Sequence, residues 1–383
     1  MKSVARRRYN ILFTTSFGHM MGGGQWSLYY MIKYLNKKIF HPIVLCPEAG
    51  ELAMNMRKVG AEVLYLDVGR IRYLNLQVIR KLIAIIKSRK IDIIHTDSST
   101  ETFYAGIAAW IMHIPLIWHI RVSVNEWFMD RFLSMFCVRL ILVANAIRSR
   151  FKWLEKTGKI VVVYNGIDLD EFDSFPSTSS MRHEWGVDKN TVLLGCIGRI
   201  ERTKGQEYLI AAMQHITNAK LILVGSEDKK YLKRLTQLCE KFKVSQHIIF
   251  VGYRKDIPRF LKEIDIVVFP TLSEGFSRVI LEAMAAAKPV IATDIAGNPE
   301  AVTDGITGYI VPAKNIAALT TRIRDLATDK AKRKKMGQAG RKRIEQFFTI
   351  QQNVQSVQEV YFDILANNKQ YLDEVAKRIH KKI

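Results

Sequence analysis

The feature that most constrains the fold is a regular alternation of short, β-rich apolar runs with longer helical patterns. In the first part of the chain the apolar runs predict strands at residues 10–16, 42–46, 62–66, 91–95, 116–120, 140–144 and 160–163. Helical patterns fill the gaps, for example at residues 25–35, 74–89 and 101–112. Strands that alternate with helices in this way predict parallel sheets covered by helices on both faces.

The alternation is interrupted once, by the polar and turn-rich residues 168–188, and then starts again. Further strands are predicted at residues 192–196, 221–224, 247–250, 266–269, 290–292 and 309–311. We therefore predict an α/β protein with two facing Rossmann-like, doubly wound parallel-sheet domains and a C-terminal helical segment. The predicted boundaries are 1–168 and 189–348 for the domains, 169–188 for a linker and 349–383 for the last helices. Because ligands bind beyond the carboxyl ends of such strands, a ligand is expected between the domains.

Composition places the chain among folded proteins and gives it a strong positive charge. Of its 383 residues 48% are hydrophobic, which argues against disorder, and 58 Lys+Arg against 36 Asp+Glu give a net charge of +22. Such a charge suits nucleic acid, an acidic membrane surface or nucleotide phosphates. The four cysteines form no CxxC pair, which excludes a zinc ribbon or a thioredoxin-type motif. Buried free thiols and the lack of a transmembrane run favour a cytoplasmic location.

The most informative segment follows the predicted strand 266–269 and opens an apolar helix. Backbone amides around Ser277 and Val279 can meet a phosphate at the start of this helix, and Gly275 lets a ligand approach the backbone closely. Glu274 lies on the loop and Glu282 two turns into the helix, so both can accept hydrogen bonds from sugar or ribose hydroxyls. A capping Glu274 and a surface Glu282 paired with a lysine explain the same pattern equally well.

A second candidate is the glycine-flanked basic loop at residues 198–205, which follows the predicted strand 192–196. Arg199 and Lys204 lie on this loop and can grip both phosphates of a diphosphate. The alternative is a solvated basic loop. The position at the carboxyl end of a strand favours the binding role.

Two weaker signals lie in the first half of the chain. Gly22 and Gly23 follow the first predicted strand in a sequence that is neither GxGxxG nor a Walker loop. They allow a substrate to approach the amide of Gly23, although a flexible turn explains them as well. His119 lies near the end of the predicted strand 116–120, where it can hydrogen-bond a sugar hydroxyl or a carbonyl. The other histidines, His95 included, are interpreted as core or surface residues.

Taken in order, these motifs resemble the retaining nucleotide-sugar glycosyltransferases of family 4, also called group 1, which have the GT-B fold. The resemblance extends over about residues 10–348 and is strongest in the second half. The matching positions are Gly22-Gly23, His119, Asn165-Gly166-Ile167-Asp168, Gly198-Arg199 with Lys204-Gly205, 250–252, Glu274 with Glu282, and Gly297 with Pro299-Glu300. Many relatives have two glycines before the Pro-Glu pair, where this chain has Gly297-Asn298.

The resemblance implies a retaining, hexosyltransferase-type transfer from a UDP-sugar or GDP-sugar, with no cofactor and no metal. It also implies that the second domain binds the nucleotide-sugar, that the first lies on the acceptor side, and that the last helices cross back to the first domain. The catalytic residues would be Glu274, His119, Arg199 and Lys204. The donor would also contact Gly23, Tyr253, Arg254, Gly275, Phe276, Ser277, Val279 and Glu282. Gln25 would face the acceptor.

The positive charge is spread over the whole chain and exceeds what a diphosphate needs. The stretch from Arg70 to Lys90 has seven basic and no acidic residues, with apolar residues at helical spacing. It fits an interfacial helix on anionic lipid and an ordinary packed helix equally well. We interpret the aromatic residues that follow His119 as ordinary packing; they are Trp127, Phe128, Phe132 and Phe136.

The leading hypothesis is a cytoplasmic glycosyltransferase, peripheral on the inner face of the cell membrane, that acts on a lipid-linked or cell-surface glycan in polysaccharide biosynthesis. One alternative is a phosphorylase or epimerase with the same fold, and a phosphorylase would depend on free phosphate. Another is an inactive, basic binding protein of this fold, which would bind nucleic acid in a salt-sensitive way. No homeodomain, zinc-finger, RRM or KH signature supports nucleic-acid binding.

Overall fold

The computed structural model describes residues 7–68, 75–175, 180–188, 190–368, 370–373 and 375. The chain divides into two units, which are Met1–Asn165 with Ile350–Ile383 and Gly166–Thr349. Each unit contains one parallel sheet. None of the helices in these ranges has both the length and the apolar character needed to cross a membrane.

The first unit is built on a seven-stranded sheet with the strand order β3-β2-β1-β4-β5-β6-β7. Its strands are β1 (Tyr9–Thr14), β2 (Phe40–Cys46), β3 (Glu62–Tyr65), β4 (Ile93–Thr96), β5 (Leu116–Ile120), β6 (Cys137–Leu142) and β7 (Ile160–Val162). The helices between them are α1 (Gly23–Tyr34), α2 (Glu51–Lys58), α3 (Leu76–Ser88), α4 (Ser99–Met112) and α5 (Trp127–Phe136). A kinked 3-10 helical segment, Asn145–Thr157, precedes β7.

The second unit has a six-stranded sheet with the order β10-β9-β8-β11-β12-β13. Its strands are β8 (Val192–Ile197), β9 (Ala219–Val224), β10 (Ile248–Phe250), β11 (Ile266–Phe269), β12 (Val290–Thr293) and β13 (Gly308–Val311). Its helices are α6 (Leu169–Ser174), α7 (Ser180–Glu184), α8 (Gln206–Met213), α9 (Lys229–Lys241), α10 (Ile257–Glu263), α11 (Arg278–Ala285), α12 (Asn298–Ala301), α13 (Ile316–Thr328) and α14 (Lys330–Phe347). Short 3-10 turns lie at Arg202–Lys204 and Ser245–His247. The last helix, α15 (Ile350–Ala366), belongs to the first unit.

The central strands explain why these sheets form. Strands β4, β5, β8 and β11 are buried along their whole length and consist largely of Ile, Val and Leu. A parallel sheet that is covered on both faces needs such continuous apolar strands. The polar exceptions are His95 and Thr96 in β4 and His119 in β5, which are buried near the carboxyl ends of neighbouring strands. The core of the first sheet therefore positions polar side chains along one edge.

The predicted fold class is confirmed, since both sheets are parallel and Rossmann-like and helices follow the second sheet. Several strand bounds differ from the predicted ones by one to three residues, most of all at the start of β6, which begins at Cys137 and not at residue 140. Arg139 lies in this added part of the strand, and its guanidinium pairs with Asp363 of α15 at 2.6 Å. The polar stretch predicted to be a linker contains the short helices α6 and α7, whose residues lie in the second unit.

Candidate functional site

Each sheet has one point where the strand order reverses, and the loops that follow the strands there carry the candidate residues. In the first unit this point lies between β1 and β4, and in the second between β8 and β11. Open α/β sheets bind their ligands beyond the carboxyl ends of the strands at such a point. Each unit therefore has its own candidate edge.

The loops after β8 and β11 are held together in the second unit by a close backbone contact. Gly205 has a left-handed φ of +68°, and a Cβ added there would lie 2.0 Å from the carbonyl oxygen of Pro270. The amide of Leu272 donates to the carbonyl of Thr203 at 2.8 Å, and the hydroxyl of Thr271 donates to the same carbonyl at 3.1 Å. These bonds fix one loop against the other. Only glycine fits at position 205 without a shift of the backbone.

This arrangement brings Lys204 and Glu274 into direct contact. The Lys204 Nζ atom lies 2.7 Å from Glu274 Oε2, and both side chains are mostly buried. The ammonium group also lies over the ring of Phe269, 5.7 Å from its centroid. Arg199 is placed differently, because it pairs with Glu201 at 3.0 Å and its side chain is 62% exposed. The edge thus holds two cations that each have a carboxylate partner, Lys204 mostly buried and Arg199 mostly exposed.

The start of helix α11 is organised by its own side chains. The Ser277 hydroxyl caps the helix by accepting from the amide of Ile280 at 3.4 Å. Arg278 pairs with Glu282 at 3.3 Å and also donates to the carbonyl of Gly166 at 3.2 Å. Burial raises the pKa of Glu282, although Arg278 acts in the opposite direction. Glu282 is therefore a mostly buried carboxylate that is held by an arginine rather than by a lysine.

The neighbouring residues of this segment differ in their surroundings. Gly275 accepts a hydrogen bond from the amide of Gly297 at 2.9 Å, which ties the loop to the segment before α12. Phe276 is buried, and its ring packs 5.4 Å from that of Phe348. Val279 is partly exposed. Phe276 is therefore a packing residue of the second unit, whatever its backbone contacts.

The loop after β10 holds the residues predicted to read the base. Tyr253 is exposed, whereas Arg254 binds Asp256 through two hydrogen bonds of 2.9 and 2.7 Å. These bonds hold the pKa of the Asp256 carboxyl below its usual value. The Arg254 side chain thus has a local partner.

In the first unit, helix α1 begins at the glycine-rich turn. Gly23 is its first residue, and the preceding Gly22 is extended and offers no side-chain cap. A Cβ added at Gly24 would lie 3.7 Å from the side chain of Arg121. Gln25 is half-buried in the first turn of the helix. The turn therefore lies beside the residues that follow β5.

The carboxyl ends of β4 and β5 carry a buried polar cluster formed by His95, Asp97, His119 and Arg121. The Nδ1 atom of His119 lies 3.1 Å from His95 Nε2 and 3.4 Å from Arg121 Nη2. Arg121 also forms an ion pair with Asp97, with 3.1 Å between Nε and Oδ2. Burial, together with the positive charge of Arg121, lowers the pKa of His95 to about 3 and that of His119 well below its usual value. Burial raises the pKa of Asp97 to about 6, while Arg121 opposes this shift.

Two models of known families match the chain. The model for group 1 glycosyl transferases matches residues 177–343, and the model for glycosyltransferase family 4 matches residues 21–171. The chain belongs to the family 4, group 1 glycosyltransferases. The prediction from the sequence motifs is confirmed in this respect.

Individual relatives agree with this assignment. The capsular polysaccharide biosynthesis glycosyltransferase CapM of Staphylococcus aureus is 26% identical over 367 residues, which are 88% of this chain and 94% of that protein. The UDP-Gal:alpha-D-GlcNAc-diphosphoundecaprenol alpha-1,3-galactosyltransferase of Escherichia coli is 26% identical over 313 residues, 75% of this chain and 79% of that protein. The crystal structure of Anabaena HepE in complex with UDP and glucose has a TM-score of 0.81 at 24% identity, covering 93% and 100% of the two chains. This likeness shows the GT-B fold.

Three residues of the His119 cluster belong to none of the sequence motifs of this glycosyltransferase. His95 was interpreted as a core or surface residue, and it is buried, yet it contacts His119 directly. Asp97 and Arg121 were not singled out. Both directly follow strands that neighbour each other in the sheet, so the rule that found His119 also applies to them.

The structure also describes most of the basic stretch from Arg70 to Lys90 and the aromatic residues after His119. Arg70 lies outside the described residues, but helix α3 buries Val78, Leu82 and Ile86 inside the first unit, so these residues pack rather than face lipid. Packing is confirmed for Phe136, which is buried. It is wrong for Trp127 and Phe128, which are 58% and 72% exposed. They begin α5, where only one side of the helix meets the core.

Proposed function

We propose that this glycosyltransferase moves a sugar from a nucleoside-diphosphate-sugar to an acceptor hydroxyl with retention, in a hexosyltransferase-type reaction. The observation that carries this proposal is the contact of Lys204 with Glu274 at the reversal point of the second sheet. A diphosphate needs cations, and a sugar needs hydrogen-bond acceptors. This pair offers both within one short distance.

In the proposed reaction the bond between the sugar and the diphosphate oxygen breaks, and its electron pair leaves with the nucleoside diphosphate. The acceptor oxygen forms the new bond, and its proton passes to the departing phosphate. Lys204 and Arg199 stabilise the developing negative charge, as preorganised cations do in other transfers. The sugar centre passes through a state with oxocarbenium character, so charge stabilisation lowers the main barrier.

Glu274 has two functions in this scheme. In the empty protein it compensates Lys204, which would otherwise be a mostly buried cation without a counter-charge. With the donor bound, Lys204 turns toward the phosphates and the freed carboxylate accepts hydrogen bonds from the sugar hydroxyls. Glu282, held by Arg278, is proposed to bind the ribose, and the backbone at Tyr253 to read the base.

We further propose a UDP-sugar or GDP-sugar as the donor and a lipid-linked or cell-surface glycan as the acceptor. Two relatives support this choice, because one is named for a UDP-sugar donor with a diphosphoundecaprenol acceptor and the other for capsular polysaccharide biosynthesis. Such an acceptor calls for a cytoplasmic, peripheral contact with the inner face of the membrane. The basic residues Arg80, Lys81 and Lys87 are exposed on α3 and suit anionic lipid.

Nucleotide selectivity is tested first, by thermal unfolding in the presence of UDP, GDP, ADP and their sugars. A selective rise in the melting temperature with one nucleotide identifies the base, because a ligand that binds only the folded state stabilises it. Release of that nucleotide is then measured with membrane extracts as the acceptor source. Turnover that persists in EDTA supports charge stabilisation by protein cations alone, and the anomeric coupling in the product's NMR spectrum tests retention.

The matched variants are Lys204→Ala, Glu274→Ala and the control Lys334→Ala, which removes an exposed lysine from α14. We expect Lys204→Ala to lower kcat by about 10²–10³-fold, as the loss of one transition-state contact does elsewhere. Lys334→Ala should leave kcat unchanged. Equal turnover of the Lys204→Ala variant and the wild type would refute the proposed site. Turnover that requires free phosphate would favour a phosphorylase instead.

A further inference from the structure

The His119 cluster continues beyond His95 to helix α15. The hydroxyl of Tyr361, in α15, lies 2.7 Å from His95 Nδ1, and His95 Nε2 lies 3.1 Å from His119 Nδ1. All three side chains are buried. The ring of Tyr361 is further fixed by edge-on packing against Phe40, with 5.4 Å between the centroids. A continuous line of hydrogen-bonding groups thus runs from the last helix to His119.

The hydrogens along this line have one arrangement that satisfies every contact. Arg121 carries only donors, and its Nη2 atom approaches His119 Nδ1 at 3.4 Å, so that nitrogen is an acceptor. His95 Nε2 faces the same nitrogen and therefore donates to it. A neutral imidazole has one donor and one acceptor, so His95 Nδ1 accepts, and the Tyr361 hydroxyl donates to it. Both rings are neutral because burial and Arg121 disfavour their protonation.

The position of the hydrogen on the other ring nitrogen of His119 follows from these contacts. Since Nδ1 accepts, Nε2 carries the hydrogen. That Nε2 is buried and has no hydrogen-bond partner among the residues that the structure describes. A buried donor without a partner destabilises the folded state, and a hydrogen bond to an oxygen of a ligand would remove this penalty. The cluster is therefore prepared to donate one hydrogen bond from a defined atom.

We propose that His95 and Tyr361 are positioning residues that hold His119 as its Nε2–H tautomer, so that His119 donates a hydrogen bond to an oxygen of the transferred sugar. This role rests on the proposed function and on the family resemblance, which implies that His119 contacts the sugar. Asp97 contributes by holding the guanidinium of Arg121 beside His119 Nδ1. The last helix thereby becomes part of the reaction, although it is distant in sequence from the motifs of the family.

A bound metal ion is the competing explanation of the cluster. Ligand atoms of His95, Asp97 and His119 all lie within 4.8 Å of one another, as they would around a cation. The guanidinium of Arg121 already contacts Asp97 and His119 Nδ1 in this group. Its positive charge neutralises the carboxylate and repels a metal ion, which favours the hydrogen-bonded arrangement.

The tautomers can be observed directly in the full-length wild-type protein. Two-bond nitrogen–proton correlation spectra of protein labelled with ¹⁵N-histidine distinguish the two neutral forms of each ring. The His119 signals are assigned by their absence from the His119→Asn variant. We expect both His119 and His95 to carry hydrogen on Nε2 and none on Nδ1. A His119 ring with hydrogen on Nδ1 overturns the inference, and so does tight binding of one equivalent of Zn²⁺ in a calorimetric titration.

Substitution by glutamine or by methionine tests whether His95 acts through its Nε2–H group. Glutamine can place an amide N–H where His95 Nε2 lies, whereas methionine fills the same space without a donor. We expect His95→Met to lower kcat about 10-fold with a smaller effect on the KM of the donor, and His95→Gln to restore most of that loss, since one hydrogen bond changes a rate by about this factor. Equal kcat values for His95→Met and His95→Gln would overturn the positioning role.

Tyr361→Phe removes only the hydroxyl at the start of the line. Its expected effect is a fall in kcat of about 3-fold to 10-fold, with the His95 signals changed in the spectrum. Tyr231→Phe, at a buried tyrosine of the second unit, is the matched control and should leave kcat unchanged. If no nucleotide-sugar is turned over, the proposed function fails while the spectra still report the tautomers. If turnover is normal and His119 carries hydrogen on Nδ1, only the present inference fails.

Discussion

Replacing Gly205 by alanine should destabilise the second unit by more than the cost of placing alanine in a left-handed backbone conformation. The residue has a φ of +68°, and the added Cβ would lie 2.0 Å from the carbonyl oxygen of Pro270. Real Cβ atoms essentially never approach another atom more closely than 3.0 Å, so the two backbones must separate by about 1 Å. These backbones are the loops that carry Lys204 and Glu274, and the strain therefore falls on the proposed donor site.

The magnitude follows from comparison with Gly305, which has a similar φ of +73° and no atom within 4 Å of an added Cβ. A left-handed alanine costs roughly 1–2 kcal/mol, of which about 0.4–1 kcal/mol is offset because alanine restricts the unfolded chain. Gly305→Ala should thus cost about 1 kcal/mol. Overpacking adds about 1–3 kcal/mol, so Gly205→Ala should cost about 2–4 kcal/mol.

The assay is urea unfolding of both variants, followed by circular dichroism, together with the affinity of each for the nucleotide that the thermal panel selects. Gly205→Ala should shift the unfolding midpoint further than Gly305→Ala at an unchanged slope, and it alone should weaken nucleotide binding. Equal midpoints for the two variants would show that the contact with Pro270 does not hold the loops. A stable Gly205→Ala variant with normal nucleotide affinity would refute the link between this contact and the site.

Three further predictions concern the first unit. Arg150 and Asp130 form a buried pair with contacts of 2.7 and 2.5 Å, so Arg150→Met should cost about 3–5 kcal/mol in urea unfolding, and adding Asp130→Leu should recover most of it. The pKa of His95 is lowered to about 3 from 6.5, so the folded state binds fewer protons than the unfolded chain between these values. Stability is then lost as the pH falls below 6.5, and His95→Gln should remove about 2 kcal/mol of the loss between about pH 7 and 5. Replacing the exposed Trp127 and Phe128 by serine should weaken sedimentation with phosphatidylglycerol vesicles about 10-fold, whereas a larger effect of Arg80→Ala with Lys81→Ala would assign the contact to α3.

The contact between Lys204 and Glu274 shows how much of the site could be predicted from the sequence. Both residues follow buried strands, and the carboxyl ends of parallel strands lie at the same edge of a sheet, where ligands bind. Their distance depends on β8 and β11 being neighbours, which strand order alone decides. The conformation of Arg199 could not be predicted, because its partner Glu201 is a local choice among several charged residues.

His95 shows what local patterns cannot reveal. A histidine in an apolar strand has the same sequence signal whether it only packs or directs a neighbour. Its partner Tyr361 lies 266 residues away on a helix that carries no family motif. The exposed Trp127 and Phe128 were misinterpreted for a related reason: an aromatic residue near a helix start gives no sign of which side of the helix meets the core.

The two sheet edges have different functions in the proposed reaction: one provides positive charge, and the other provides a directed hydrogen bond. In the first unit Arg121 is compensated by Asp97, and both histidines are neutral, so the cluster offers a directed hydrogen bond and little net charge. In the second unit Lys204 pairs with Glu274, and Arg199 pairs with Glu201 while its side chain is 62% exposed. In the proposed reaction we therefore expect Lys204 and Arg199 to stabilise the departing diphosphate, and His119 to select among the sugar hydroxyls. Loss of the His119 donor should therefore change the preference among sugars at constant nucleotide affinity, and loss of Lys204 should weaken every donor alike.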